Sequence, residues 1–537
     1  MSAEAQIETD IATTMPALDL PLRGEDHSVP IAELSFQGEM GRISRQSGIV
    51  FAGTIFSAGL GYFFKIYLAR VLGPDALGIY ALGMTIVGFF GLFNVLGLPD
   101  SAVRFVASYT AAARVEELRS FLWGGAGIIL AGNLICAGIL IKIGPWIAAR
   151  WYHAPELSRY VPLFSLILIS GALISFFGKV VAGYKEVGRG AVITKLAGGP
   201  LTMAFSILLI SFGMGLWGFL CAQIVSAAIV LALILAFAWR LTPRAARRPD
   251  FHRMSVEPEV WSFSGAVLGI GLLDFFVMHS DRIALGFSRT LHDVGIYSVA
   301  AGLVAYEPMI LQSINQIFAP VISDVHTRGQ FKLLKRLFQS LTKWTLGLTW
   351  PLIVVVVAYA RPIMRIFGPS FEPAWPVLVV GSMGELVNCA VGSVGYLLLM
   401  SGNQRRLVRV QGAMAVVTVV LCAGLVPRWG IMGAAVATAI ANVGMNLWNL
   451  VEVRCSLKMM PFNRSYLKLI PAAACSTAVA WLFGLVPSSL RSDWAVLGAT
   501  LVACYAAFLA AAGCFGLDAD DRLVASAAWG RLKGAMR

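Results

Sequence analysis

Long, continuous apolar runs alternate with short polar connections along almost the whole chain, as at 128–140, 161–178 and 352–360. A helix needs about 20 mostly apolar residues to cross the hydrocarbon core of a bilayer. By that measure the pattern predicts about fourteen spans. They fall at 47–69, 76–98, 120–142, 157–178, 190–212, 216–239, 260–281, 294–318, 341–358, 376–400, 406–426, 431–452, 466–486 and 494–516. Transmembrane β-strands are excluded, because they alternate lipid-facing and lumen-facing residues and need only about ten residues each. The expected fold class is an all-α polytopic membrane protein.

A second pattern lies over the first. Residues 65–80 read KIYLARVLGPDALGIY and residues 282–297 read RIALGFSRTLHDVGIY, an offset of 217. Lys65 falls on Arg282, and Gly78-Ile79-Tyr80 falls on Gly295-Ile296-Tyr297. At nearly the same offset, GLWGFLCA (215–222) matches GIMGAAVA (430–437), which sets Gly215 and Gly218 on Gly430 and Gly433. Two landmarks at one spacing predict two homologous six-helix bundles, 47–239 and 260–452, joined by a cytoplasmic linker at 240–259. Two extra helices and a tail follow at 453–537. In a membrane chain such a repeat points to a transporter whose site lies between the halves.

Composition sharpens this picture. The chain is 58% hydrophobic and only 13% charged, against about 25% charged in soluble domains. A net charge of +13 would suit a nucleic-acid partner, but its distribution argues for topology instead. With the N-terminus inside, the tail and the even-numbered connections hold about 31 of the 42 Lys and Arg, the odd ones about 10. Arg240, Arg244, Arg247, Arg248 and Arg253 follow span six; Arg328, Lys332, Lys335, Arg336 and Lys343 follow span eight. Both termini are therefore expected in the cytoplasm. Residues 1–46 are polar and mostly acidic, lack the charged-then-apolar opening of a signal peptide, and are expected to be disordered. Segments 327–344 and 521–536 are amphipathic and are expected to lie along the cytoplasmic interface.

The eight cysteines and six histidines are scattered, with neither metal spacing nor a disulfide framework. No phosphate-binding loop, dinucleotide fingerprint or nucleophile elbow occurs. No cofactor, structural metal or catalytic residue is expected, and the short outer loops leave no room for a folded catalytic domain. Pro308 and Pro320 interrupt spans, as a hinge, a cavity lining or a static kink would.

Ionisable residues deep in spans need a partner or a water-filled cavity. Asp274, Glu307 and Glu385 all fall near mid-depth of the second half, with Asn315, Gln316, Asn388, Asn442 and Asn446 close in sequence register. Asp274, Glu307, Glu385 and Asn388 are candidate ligands of a coupling ion, Na⁺ or H⁺; the alternative is a set of interhelical hydrogen bonds. Lys65 and Arg282 occupy equivalent repeat positions. With Arg70 and Arg104 they are candidates for a cationic cavity that holds a phosphorylated head group; the alternative is snorkelling to the interface. Asp281 has its own simple alternative, a pair with Arg282 or Lys65.

The segment 68–107 resembles the opening of the Wzx-type oligosaccharide flippases, polysaccharide transporters of the multidrug/oligosaccharidyl-lipid/polysaccharide exporter superfamily. Arg70, Leu72-Gly73-Pro74, Gly78-x-Tyr80, Gly97-Leu98 and Arg104 carry the resemblance. It continues in Ser280-Asp281-Arg282, 295–300, Pro320 with Ile322-Ser323, Gly402-Asn403-Gln404 and 430–438, and covers roughly 42–455. It implies two six-helix bundles around a central cavity that rock in alternating access. It implies, as substrate, a short oligosaccharide on undecaprenyl diphosphate, moved to the outer leaflet of a bacterial inner membrane. Membrane lipids and polysaccharide polymerase or assembly proteins would be the partners. Many relatives have twelve spans, whereas lipid II flippases of the same superfamily have fourteen, which keeps a peptidoglycan precursor open as cargo. A multidrug exporter and, from a different class, a membrane glycan polymerase or ligase are the remaining alternatives.

Overall fold

The apolar runs fold as helices throughout residues 31–248, 257–484 and 494–514, the part of the chain that the computed structural model describes. In hydrocarbon, a backbone N–H or C=O has no water to bond, so each spanning segment must close its own ladder. Hydroxyl side chains inside the spans follow suit. Ser165, Thr342 and Thr418 each donate to the carbonyl four residues back.

In chain order the longer helices are α1 (Ile31–Val95), α2 (Leu98–Ala111), α3 (Val115–Trp146), α4 (Val161–Gly183), α5 (Gly198–Ser211) and α6 (Gly215–Leu241). The second half follows with α7 (Pro258–Ser288), α8 (Leu291–Val304), α9 (Met309–Thr327), α10 (Phe331–Ala358), α11 (Ala360–Phe367) and α12 (Trp375–Val391). It ends with α13 (Val394–Met400), α14 (Gln404–Trp429) and α15 (Ile431–Leu457), and α16 (Leu469–Phe483) and α17 (Trp494–Cys514) come after it.

Twelve of the described helices are long and apolar enough to cross a membrane; α8 with the start of α9, bent by 47°, makes a thirteenth. One of the twelve, Gly59–Val95, is 37 residues long. That is roughly 55 Å at about 1.5 Å per residue, far more than a hydrocarbon core of about 30 Å. Its backbone breaks at Gly73, where φ is 77° and ψ 175°. Pro74 then opens the next helix, where its fixed φ and missing N–H cost nothing. The twelve or thirteen spans among the described residues agree only approximately with the fourteen read from the sequence.

The repeat is built in three dimensions. The Gly73 break falls, at the 217-residue offset, on Thr290, the N-cap of α8. Gly215 and Gly430 both adopt positive φ, 53° and 59°, where α6 and α15 begin. Within each half the packing matches: α4 and α5 lie on α6 as α12 and α14 lie on α15. The two additional helices, α16 and α17, pack on each other and on α10.

The repeated glycines Gly78 and Gly295 meet where the halves meet. A Cβ on Gly78 would lie 2.0 Å from the Leu291 carbonyl oxygen, and one on Gly295 would lie 1.9 Å from that of Pro74. Pro74 and Leu291 are themselves repeat equivalents, so the contact is reciprocal. Only glycine admits backbones this close.

Four expectations need correction. The tail expected to be disordered over 1–46 is helical from Ile31 onward. The amphipathic segment 327–344 does not lie apart on an interface. From Phe331 it is the first part of α10, and its Leu334 and Phe338 are fully buried against Phe318, Ile322 and Leu397. Span eight is broken between α8 and α9, at Pro308. Span ten is broken at Gly392, whose φ of 76° and close approach to Thr342 exclude a side chain. The second amphipathic segment, 521–536, and residues 1–30 lie outside the described residues.

Candidate functional site

Lys65 sits on α1 about two turns before the Gly73 break. Its Nζ lies 4.7 Å from the centroid of the Tyr306 ring and beside Gly302 of α8, where a Cβ would come within 3.2 Å of it. An α1 cation thus reaches across to the second half. Arg282, its repeat equivalent, lies on α7 and donates from Nη1 to the Met278 carbonyl of its own helix at 3.1 Å. Among the described residues, neither cation has a carboxylate within ion-pair distance.

Asp281 is not the counter-ion. It is buried, accepts a 2.7 Å hydrogen bond from the Tyr297 hydroxyl, and takes the Arg282 backbone N–H at 2.7 Å. The matching tyrosine of the first half, Tyr80, accepts from Gln223 Nε2 at 2.9 Å. Both repeated tyrosines therefore anchor their helix to its own bundle. Lys65 thus lies against the second half, on the Tyr306 ring, while Arg282 stays on its own helix.

The other two cations lie elsewhere. Arg70 donates from Nε to the Ile366 carbonyl of α11 at 2.8 Å, a clasp between the halves at the Gly73 end. Arg104 lies at the opposite end of the molecule, paired with Glu259 at 2.9 Å and flanked by the Phe105 and Phe263 rings. The seam between α2 and α7 continues there. Ser101 and Ser264 share a hydrogen bond of 2.7 Å, and Tyr109 donates to Glu257 at 2.9 Å. Burial, and then Glu257 itself, hold the Tyr109 phenol well above its ordinary range, so it stays a donor.

The four candidate ion ligands also divide. Asp274 accepts from Gln411, between α7 and α14. Glu307, Glu385 and Asn388 come together inside the second bundle. Glu307 sits in the break between α8 and α9 and is 4% exposed. Its Oε1 lies 2.6 Å from the Ser382 hydroxyl, and its Oε2 has no hydrogen-bond partner. Glu385, one turn beyond Ser382, accepts from Asn388 at 2.8 Å and from Asn442 of α15 at 2.9 Å. Asn442 in turn accepts from Asn446 at 2.9 Å. Ser382, which meets Glu307, thus stands on the same helix as Glu385. Among the described residues no group of three or more His, Cys, Asp or Glu is arranged to hold a metal ion.

Sequence reasoning missed Ser382, Tyr306 and the Ile366 carbonyl. A serine in an apolar run and a main-chain oxygen carry no pattern of their own. Only Ser382, three residues before Glu385, stood where a helix face offered a hint.

Residues 67–376 match the family model described as polysaccharide biosynthesis protein. The chain is 23% identical over 422 residues to the probable flippase AglR of Haloferax volcanii, covering 77% of this chain and 83% of that one. It is 25% identical over 342 residues to the succinoglycan biosynthesis transport protein ExoT of Rhizobium meliloti, covering 62% of this chain and 64% of that one. Among solved structures, the lipid II flippase MurJ in an inward closed conformation superposes with a TM-score of 0.72 at 14% identity, covering 87% of this chain and 98% of that one.

Proposed function

Because this chain belongs to the polysaccharide biosynthesis protein family, we propose that it is a flippase. Its cargo is a short oligosaccharide on a polyprenyl diphosphate, carried from the cytoplasmic to the outer leaflet of a bacterial inner membrane by alternating access. The observation that carries this reading is the pair Lys65 and Arg282. They are related by the repeat and lack carboxylate partners among the described residues, and Lys65 lies against Tyr306 of the second half. A diphosphate cannot enter hydrocarbon unaided, and two cations without carboxylate partners would offset part of its transfer cost. The same pair disfavours a cationic drug. No bond in the cargo needs to break, so this is transport and not glycan polymerisation or ligation.

The Lys and Arg distribution orients the protein. It places both termini and the Arg104 end in the cytoplasm and the Gly73 end outside. The Gly78–Gly295 contact and the Arg70 clasp then close the outer face.

Coupling is assigned to the cluster in the second bundle, with H⁺ favoured over Na⁺. The Ser382 hydroxyl has one proton but faces two acceptors, Glu307 Oε1 at 2.6 Å and the Leu378 carbonyl at 2.8 Å. A proton on Glu307 satisfies both contacts. Glu385 is already occupied by two amide donors, which a sodium ion would have to displace. Asp274, apart from this cluster, has no part in it.

The test is the sidedness of the glycolipid. Inner-membrane vesicles of known orientation, with and without this protein, are probed with a membrane-impermeant glycosidase. The glycolipid should be stranded on the cytoplasmic leaflet without the protein, and Lys65→Ala/Arg282→Ala should fail to restore it. Glycolipid that reaches the outer leaflet but is not polymerised would return the enzyme reading. A stranded peptidoglycan precursor, with other glycolipids unaffected, would change the cargo and leave the mechanism in place.

A further inference from the structure

At the Arg104 end of the first bundle, α3, α4 and α6 diverge around an apolar groove of about 460 Å³. Its walls include Leu122, Ala126, Phe177, Val180 and Leu235. Trp123 and Trp239 stand at its mouth, edge to face at 6.3 Å. The Trp123 indole N–H donates to the Ala246 carbonyl at 3.3 Å, which fixes the turn Arg244–Ala246 over the opening.

That turn is basic. Arg247 lies against the Trp239 ring, 5.9 Å from its centroid, with Nε on the Thr242 carbonyl and Nη2 on that of Arg240. Its Nη1 makes no hydrogen bond among the described residues. Arg240, Arg244 and Arg248 are exposed around it, and none has a carboxylate partner among the described residues. An apolar slot, two amphipathic rings at its lip and a rim of arginines match, part by part, an acyl chain, the glycerol level and a phosphate. The groove lies within one bundle, away from Lys65 and Arg282.

We propose that this groove binds an anionic glycerophospholipid of the leaflet facing the Arg104 end, its phosphate on the arginine rim and one acyl chain between α3, α4 and α6. The site is independent of the cargo. The lipid would brace α6 against α3 at the point where the chain leaves the first bundle for the second.

The experiment uses the purified full chain in detergent. Native mass spectrometry measures retention of phosphatidylglycerol against phosphatidylcholine with identical acyl chains. The expected result is preferential retention of phosphatidylglycerol. Ala126→Phe and, on the facing wall, Ala236→Phe fill the slot and should lower that retention at least about fivefold, the effect of roughly one surface cation. Arg244→Gln/Arg248→Gln, which leaves the helices untouched, should bring phosphatidylglycerol down to the level of phosphatidylcholine. Equal retention of both lipids by the native protein would overturn the proposal. So would slot-filled variants that hold phosphatidylglycerol like the native chain, or complete displacement by an equal amount of undecaprenyl phosphate, which would give the groove to the cargo.

Discussion

At the scale of single residues, the burden falls on groups whose usual partners are missing. Lys65 and Arg282 lack counter-ions among the described residues, although Asp281 is adjacent to one of them in sequence. Its carboxylate is committed to Tyr297, which leaves the pair open to the role proposed for it. Charge-assisted contacts contribute about 1.5–3 kcal/mol each. Loss of either cation should therefore slow glycolipid transfer about tenfold or more, and loss of both should abolish it, as read by glycosidase accessibility in vesicles. Lys65→Arg should retain most activity if charge is what counts. A full loss in that variant would mean that the ammonium's position over Tyr306 matters instead. Glu307 poses a different question, because its exchange of a proton is the proposed coupling event. Glu307→Gln keeps the shape and fixes the neutral form. It should leave the thermal unfolding midpoint nearly unchanged, while transport falls at least about tenfold and its dependence on external pH flattens. An unaltered pH profile would remove Glu307 from the coupling step. Glu307 and Glu385 could be picked out from the sequence because charge in an apolar run is conspicuous, and Asn388 because an amide lies one turn from Glu385. Arg70 and Arg104 were legible as charges but not as interface contacts, because their partners, a carbonyl and Glu259, are distant in sequence.

At the scale of elements, the breaks matter more than the helices. Gly73, Gly392 and the turn between α8 and α9 each interrupt a run that hydropathy alone reads as continuous or nearly so. The breaks at Gly392 and between α8 and α9 flank the Glu307–Glu385 cluster. Broken helices free backbone groups that must be satisfied by protein or by water in a cavity, which is why they gather at sites of transport. The reciprocal contact of Gly78 and Gly295 gives the sharpest test at this scale. A methyl group at either position would overlap a carbonyl oxygen of the other half. Overpacking of this kind costs about 1–3 kcal/mol, and it falls only on the state with the outer face closed. Gly78→Val and Gly295→Val should each shift the protein toward an outward-open form, seen as faster labelling of a cysteine placed near the outer end of α8. Equal labelling in native and variant proteins would show that the two helices do not separate there during the cycle.

At the scale of the whole molecule, two seams hold the halves together at opposite ends. The one at the Gly73 end is backbone against backbone, with the Arg70 clasp. The one at the Arg104 end is polar: Arg104 with Glu259, Tyr109 with Glu257, Ser101 with Ser264. Arg104 and Glu259 are both more than half exposed, 54% and 64%, and such a pair contributes about 0–1 kcal/mol. That suits a contact that must open and close in every cycle. Arg104→Glu should impair transport and add little or nothing to the cost of unfolding. Arg104→Glu/Glu259→Arg should restore transport, as measured in the same vesicles. Failure of the exchange to rescue would separate Arg104 from the seam and return it to the cargo path.

The sequence by itself determined the membrane class, the all-helical fold and the two-fold repeat. These follow from local properties, namely the length of apolar runs, the asymmetry of Lys and Arg, and residues repeated at one offset. It also determined that Lys65 and Arg282 correspond. Only the tertiary structure decided which charges share a space. It turned Asp281 toward Tyr297, brought Ser382 to Glu307, paired Arg104 with Glu259, and buried the Leu334 and Phe338 face that amphipathicity alone had assigned to the interface. The reason is physical. Whether a polar group inside a membrane protein is free, paired or at a seam depends on the helices packed against it, and those come from parts of the chain that no local pattern connects.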